Sequence, residues 1–207
     1  MKKYTILINR EAGSGGKEVA EKIGALLGIN VYSKAAIDGL INHFGLSQDE
    51  IEHIRSRKQS WWDDVCRFHK QFIAAAPTDI NHEVTPLELY HTEAKLLKEL
   101  AAHESCVIVG RAAFHIFNDD PNTLKVFFTA NREKRIARLV AKQNISDKEA
   151  AKLIDEVDKQ RETFTKSFAG VSRYDVRNYD LTCNLSTVDH DAVAQSIADF
   201  VTKKFEA

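Results

Sequence analysis

The chain has 207 residues, which suits one domain with room for an inserted subdomain and is long enough to bury a sizeable core. Its 29 basic and 30 acidic residues leave a formal net charge of -1. This balance gives no reason to expect binding to a nucleic acid polymer or to a membrane surface.

Cysteine usage and the N-terminus both favour a cytoplasmic protein. Cys66, Cys106 and Cys183 are odd in number and far apart, which argues against a disulfide framework. Cys106 and Cys183 lie in apolar runs and are predicted to be reduced core residues. The apolar run after the first three residues is too short for a signal peptide, and no stretch is long enough to span a membrane.

Strand and helix patterns alternate along the chain. Predicted strands occupy residues 4–8, 29–32, 106–109, 124–129 and 180–184. Helices are predicted to follow Gly16 and to begin near Ser33, Ser47, Ser60, Thr85, Asn131, Ser146 and Asp189. This order predicts an α/β fold with a five-stranded parallel sheet and helices on both faces. Ligands of such sheets bind beyond the carboxyl ends of the strands.

A glycine-rich stretch joins the first strand to the first helix. Residues 10–18 read Arg-Glu-Ala-Gly-Ser-Gly-Gly-Lys-Glu. Glycines let the backbone approach an anion closely, and the helix N-terminus favours negative charge. The stretch resembles a phosphate-binding loop, although Glu11 replaces its first glycine and Glu18 replaces its Ser or Thr. The alternative is a glycine-rich turn that binds no ligand.

Arginines follow two other buried strands at the same predicted edge. Arg111 comes directly after the strand at 106–109, and Arg132, Arg135 and Arg138 follow the strand at 124–129. The planar guanidinium suits bidentate binding of phosphate. Alternatively, Arg111 satisfies strand-end carbonyls, and the three later arginines form a solvated helix face.

Four stretches taken in order resemble the cytidylate kinase-like family, which belongs to the nucleoside monophosphate kinases. They are the glycine-rich loop 10–18, Val-Ile-Val-Gly-Arg at 107–111, Val-Phe-Phe-Thr-Ala at 126–130 with the arginines behind it, and Tyr-Asp-Leu-Thr at 179–182. The resemblance covers most of the chain and is weak between residues 48 and 103. It implies one domain over 1–207 with a three-layer phosphate-loop nucleoside-triphosphatase-like fold, a helical acceptor-binding insertion at 48–102 and a lid at 144–175.

The resemblance also implies a reaction, the transfer of the ATP γ-phosphate to a nucleoside monophosphate, most simply CMP or dCMP, with Mg²⁺. This chemistry depends on positioning and positive charge. The implied roles are donor binding by Gly13, Ser14, Gly15, Gly16, Lys17, Glu18 and Arg135, acceptor binding by Arg111, Arg138 and Asp158, and catalysis by Lys17 and Arg161. Asp158 and Arg161 could pair in an open lid, and Arg161 could turn onto phosphate when the lid closes.

Departures from the family leave alternatives open. Cytidylate kinases proper carry Asp on both sides of the strand-end Gly-Arg, where this chain has Val109 and Ala112. With Glu11 and Glu18, these residues also permit a nucleotide-binding or regulatory module without catalysis, or a kinase for another small acceptor. The expected partners are nucleotides, with a homodimer left open, and the sequence predicts no metal-binding residue and does not fix the base or the sugar.

Overall fold

The computed structural model of the protein describes residues 3–33 and 86–205. The helices predicted between residues 33 and 76, most of the predicted insertion at 48–102, and Cys66 lie outside these ranges. Contacts between Cα atoms divide the chain into two compact units, residues 1–34 with 98–207 and residues 35–97. The first unit contains the sheet, and the described part of the second is the beginning of a helix.

Within the described residues, the strands form one five-stranded sheet in which every neighbouring pair is parallel. The strands are β1 (Thr5–Arg10), β2 (Asn30–Tyr32), β3 (Cys106–Val109), β4 (Thr123–Thr129) and β5 (Leu181–Asn184). Their spatial order is β2-β3-β1-β4-β5, so β1 is central. The predicted parallel sheet of an α/β fold is confirmed.

Six helices in the described ranges connect or follow these strands. They are α1 (Gly16–Leu27), α2 (Pro86–His103), α3 (Ala113–Ile116), α4 (Arg132–Gln143), α5 (Asp147–Ala169) and α6 (His190–Phe205), with a 3₁₀ turn at Val176–Asn178. Helix α3 and the 3₁₀ turn were not predicted, because elements this short show no hydrophobic period. The helix predicted to begin near Ser146 is α5, which continues past Arg161 to Ala169.

The central strands are apolar on both faces, as buried parallel strands should be. On one face, residues of β1, β3 and β4 pack with α1 and α6 in a core that includes Ile6, Val19, Val107, Phe128 and Ile197. Cys106 is buried and Cys183 is partly buried, and both are free thiols. None of the helices in residues 3–33 and 86–205 combines the length and apolar character that a bilayer span requires.

This sheet fixes where the candidate site lies. The first strand ends at Arg10, the third at Val109 and the fourth at Thr129, and in parallel strands these ends share one edge. The glycine-rich loop leaves β1 at that edge. Helices α4 and α5 supply the side chains that contact the loop.

We predict that Ser146→Ala lowers the free energy of unfolding by about 1 kcal/mol, because it removes an N-cap. Ser146 caps α5: its hydroxyl accepts a hydrogen bond from Glu149 N at 3.3 Å, and the Glu149 carboxylate accepts one from Ser146 N at 2.8 Å. Urea denaturation measures the loss. Ser167→Ala is the control, since that exposed hydroxyl only donates to the Thr163 carbonyl within the helix. Equal losses in both variants would contradict the prediction.

Candidate functional site

The glycine-rich loop takes a backbone conformation that brings it close to α4. Gly13 has a φ of 74°, and a Cβ at this position would lie 2.7 Å from the Arg135 carbonyl oxygen. Only glycine therefore fits without moving the main chain. Gly15 precedes α1 in the left-handed region, and the Gly16 amide donates to Ser14 Oγ at 3.3 Å. The binding of an anion by the first turn of α1 stays a prediction.

Glu11, which replaces the first glycine of a standard phosphate loop, anchors the loop to the end of β4. Its carboxylate accepts a hydrogen bond from Thr129 Oγ1 at 2.5 Å and from Ala130 N at 3.4 Å. Arg135 Nη1 lies 3.2 Å from the other carboxylate oxygen. The residue that departs from the motif therefore makes structural contacts that position the loop.

Arg135 lies beneath the loop and is only 7% exposed. Its Nε donates to the Ala12 carbonyl at 2.7 Å, and its two terminal nitrogens contact Glu11 and Asp158. The interpretation of the α4 arginines as a solvated face is wrong for Arg135. It holds for Arg132, which is exposed and forms a bidentate pair with Asp155 at 2.7 and 2.8 Å. The role of Arg135 towards a nucleotide stays a prediction.

Asp158 connects α5 to the loop. Its Oδ1 accepts a hydrogen bond from Ala12 N at 2.9 Å, and its Oδ2 is paired with Arg135. Arg173 Nη1 also lies 3.5 Å from Oδ1, whereas Arg161 Nη1 lies 3.8 Å away. The predicted pair with Arg161 is therefore the longest of these contacts. Asp158 is 8% exposed and holds the loop main chain in place.

Four arginines, Arg10, Arg111, Arg161 and Arg173, gather beside the loop and are called the arginine cluster below. Arg161 and Arg173 both donate to the Arg10 carbonyl, the former at 3.1 Å. Burial, followed by repulsion from Arg161 and Arg173, lowers the pKa of Arg10 to about 9.

The same effects act on Arg161. Burial and the charge of Arg173 lower the pKa of Arg161 to about 10. Arg173 is fully buried, and the Arg111 guanidinium lies 5.0 Å from the centre of the Phe164 ring. Among the described residues, Asp158 offsets the charge of both Arg10 and Arg161. Arg10 and Arg161 share this carboxylate while they repel each other and Arg173, an arrangement that suits an anionic ligand.

Arg138 holds the loop from the side of α6. Its Nη1 donates to the Ser14 carbonyl and its Nη2 to the Leu185 carbonyl, both at 2.6 Å. Nη2 also lies 3.3 Å from His190 Nε2, and the other ring nitrogen of His190 lies 3.3 Å from Glu18 Oε2. Arg138 thus contacts the loop and the start of α6, and its predicted contact with an acceptor stays a prediction.

Lys17 lies on the exposed first turn of α1. Its Nζ is 3.4 Å from Glu21 Oε1, and both side chains are more than half exposed. Glu18 is similarly exposed beside His190. The structure therefore places the loop glycines, Lys17 and Glu18 in one segment, and Arg111 and Arg161 in the arginine cluster.

Sequence reasoning missed three contributors to this site. Arg173 lies in an irregular polar stretch, where no spacing identifies its partner. His190 is the first residue of a helix that is distant in sequence from the loop. Arg10 belongs to the glycine-rich stretch, but the loop motif assigns its side chain no role. Arg173 and His190 could be identified only from tertiary contacts. For Arg10, the positive charge at the end of the first strand was a signal that the sequence did contain.

The chain is similar to a known protein family and to several solved structures. The model of the cytidylate kinase-like family matches residues 5–187. An uncharacterized protein from Eubacterium ventriosum ATCC 27560 has a similar crystal structure, with 24% identity, a TM-score of 0.73, and coverage of 98% of this chain and 99% of that one. No match is found among curated proteins.

Two kinases share the fold at low identity. A shikimate kinase from Acinetobacter baumannii, solved in complex with shikimate, is 14% identical with a TM-score of 0.51, and the match covers 100% of this chain and 97% of that one. A gluconokinase from Sinorhizobium meliloti 1021 is 11% identical with a TM-score of 0.52, and the match covers 99% and 96%. These similarities bear out the predicted phosphate-loop kinase fold.

We predict that Asp158→Asn lowers the free energy of unfolding by about 3 kcal/mol, because it leaves buried arginines without their counter-charge. Asp155→Asn is a matched control on the same helix, since its pair with Arg132 is exposed to solvent and contributes little to stability. Chemical denaturation of both variants measures the difference. Similar small losses would show that Asp158 is not an essential support of the loop.

We predict that Gly13→Ala is more destabilising than Gly170→Ala. The two glycines have φ angles of 74° and 70°, so both alanines would share a left-handed strain of about 1–2 kcal/mol. Only at Gly13 would the Cβ meet main chain, whereas nothing lies within 4 Å of the Cβ position at Gly170. Thermal unfolding of both variants measures the difference, and equal melting temperatures would contradict the close approach of the loop to α4.

Proposed function

The chain belongs to the cytidylate kinase-like family, and on this premise we propose that it is an ATP-dependent phosphotransferase whose acceptor is a nucleoside monophosphate, most simply CMP or dCMP. One observation carries the proposal. A glycine-rich loop at the start of α1 and the arginine cluster lie together at the carboxyl edge of a parallel sheet. Phosphoryl transfer requires this combination of positioning and positive charge.

The donor triphosphate would bind to the loop. The main chain of Gly13, Gly15 and Gly16 lies at the start of α1, where backbone N–H groups favour phosphate oxygens. Lys17 would exchange Glu21 for a phosphate, since an exposed ion pair of this kind contributes little free energy. Arg135 and Arg138 would act by holding the Ala12 and Ser14 carbonyls, which fixes the backbone of the loop.

The described residues suit a magnesium ion that arrives with the nucleotide. They contain no group of three or more side chains that could hold a metal ion on their own. Mg²⁺ commonly uses one or two carboxylates together with substrate phosphates and water, so Glu18 at the loop is a sufficient protein ligand. The bound ion would neutralise charge on the transferring phosphoryl group.

The arginine cluster would serve the acceptor and the transition state. Arg111, at the end of β3, would bind the phosphate of the acceptor. Arg161 would be the catalytic cation, because it belongs to the cluster and donates to the Arg10 carbonyl, where the loop begins. Asp158 would set the positions of the loop and of Arg173 by its contacts with both.

A second candidate is a nucleotide-binding module without catalysis. It is favoured by Glu18, whose carboxylate lies beside His190 in the place of the usual hydroxyl. The fold does not choose between acceptors, since the similar structures include a shikimate kinase and a gluconokinase. A panel of acceptors is therefore the decisive experiment.

We predict that the protein forms ADP from Mg-ATP with at least one nucleoside monophosphate, and that shikimate and gluconate give no ADP above the ATP-only background. A coupled ADP assay measures both. Absence of ADP with every acceptor in folded protein would contradict phosphotransfer. If calorimetry then detected ATP binding, the second candidate would stand.

We predict that Lys17→Ala impairs the use of ATP and that Arg111→Ala impairs the use of the acceptor, each by about ten- to a hundredfold in kcat/KM. The reason is the loss of a charge-assisted hydrogen bond to phosphate. Lys152→Ala is the control for Lys17, because it removes a lysine from an equally exposed i,i+4 pair with Glu156. Wild-type kinetics in both variants would show that the site is wrongly placed, and a collapse in melting temperature for Arg111→Ala would favour its structural interpretation.

A further inference from the structure

Arg10 is the one member of the arginine cluster whose side chain has no role in the proposal above. It ends β1, which pairs with β3 in parallel register up to Ile8 and Val109. Arg10 and Arg111 each lie two residues beyond that pair. The Gly110 amide still donates to the Ile8 carbonyl at 2.8 Å, so the two chains remain adjacent at this point. Two arginines from neighbouring strands therefore leave the sheet side by side.

Gly110 brings the Arg10 side chain towards Arg111. Arg10 Nη1 lies 2.6 Å from the position that a Cβ on Gly110 would occupy, and Gly110 has a φ of 87°. A larger residue would displace the guanidinium from the end of β3. Because residue 110 is a glycine, the guanidinium of Arg10 from the central strand can lie next to the end of β3, beside Arg111.

Among the described residues, the charged groups around the Arg10 guanidinium are mostly of its own sign. Arg161 and Arg173 approach it with charge of the same sign, and Asp158 is already shared by Arg135 and Arg173. The contacts of Arg10 with the lid run through its main-chain carbonyl, which any residue would provide. A partly buried cation that lies among other cations, despite their repulsion, is typical of a binding site for an anion.

We infer that Arg10 and Arg111 together bind the phosphate of the acceptor, one guanidinium from each of two adjacent strands. Two planar guanidinium groups offer paired donors to the three terminal oxygens of a phosphate monoester. A carboxylate offers two oxygens and one charge, so it would leave one of the two arginines without a partner. This arginine pair therefore selects phosphate monoesters as acceptors. The inference rests on the proposed function and specifies how that site chooses its substrate class.

Arg10→Gln is the test, because it removes the charge and leaves the carbonyl that Arg161 and Arg173 use. We expect calorimetric titration with CMP, without ATP, to show about a ten- to hundredfold weaker Kd than for the unchanged protein. The KM for CMP should rise by a similar factor, while the KM for ATP should stay within about twofold of the unchanged protein because the donor loop keeps its contacts.

Arg132→Gln is the matched control, since it removes an arginine whose exposed pair with Asp155 lies on α4. It should leave both constants unchanged. Arg10→Lys keeps the charge without the bidentate geometry and should give an intermediate Kd for CMP. This variant also replaces Arg10→Gln in the test if thermal unfolding shows that the glutamine variant does not fold.

The outcomes separate this inference from the proposed function. If the unchanged protein forms ADP with a monophosphate but Arg10→Gln binds CMP equally well, the inference is overturned and the proposed function stands. If CMP binds through Arg10 but no monophosphate is phosphorylated, the proposed function fails and the arginine pair stands. Failure of the unchanged protein to bind CMP or any other nucleoside monophosphate overturns the inference, as does an equal rise in both KM values.

Discussion

The site depends on a buried ion network in which Arg135 lies between Glu11 and Asp158. Burying charge is costly, and such a network is stable only when each member is paired and hydrogen-bonded. Here the network also includes the loop main chain, since Arg135 donates to the Ala12 carbonyl and Asp158 accepts from the Ala12 amide. Ala12 is therefore fixed by hydrogen bonds to both its amide and its carbonyl. The loop, α4 and α5 share one set of charges, so a change in any of them alters the others.

Much of the fold could be predicted from the sequence because its signals are local. Continuous apolar runs identified the buried strands, and the Ser146 capping box marked the start of α5. The glycine-rich loop was found because its geometry demands residues without a Cβ. Glu11 was recognised only as a departure from a motif. Its function as an anchor depends on Thr129 and Arg135, which are more than a hundred residues away in sequence.

The arginines of α4 show most clearly what could not be predicted from the sequence, namely the partner of each charged side chain. Arg132, Arg135 and Arg138 are evenly spaced and carry the same charge, and their spacing alone permitted either phosphate binding or a solvated face for all three. In the structure the first is exposed, the second is buried under the loop, and the third joins the loop to α6. Helical spacing places residues on a face, but the partner of that face decides whether a charge is solvated, structural or available to a ligand.

The contacts that hold the loop also bear on how such proteins diverge. Most of them end on main-chain atoms: the Arg10, Ala12 and Ser14 carbonyls and the Ala12 amide. Every amino acid has a main-chain carbonyl, and every one except proline has the amide, so side chains at these positions can change over evolution without loss of the anchor. The amino-acid sequence of the loop can therefore change while its backbone conformation is retained. Distant relatives would be recognised less by the loop sequence than by the buried donors and acceptors that α4 and α5 direct at it.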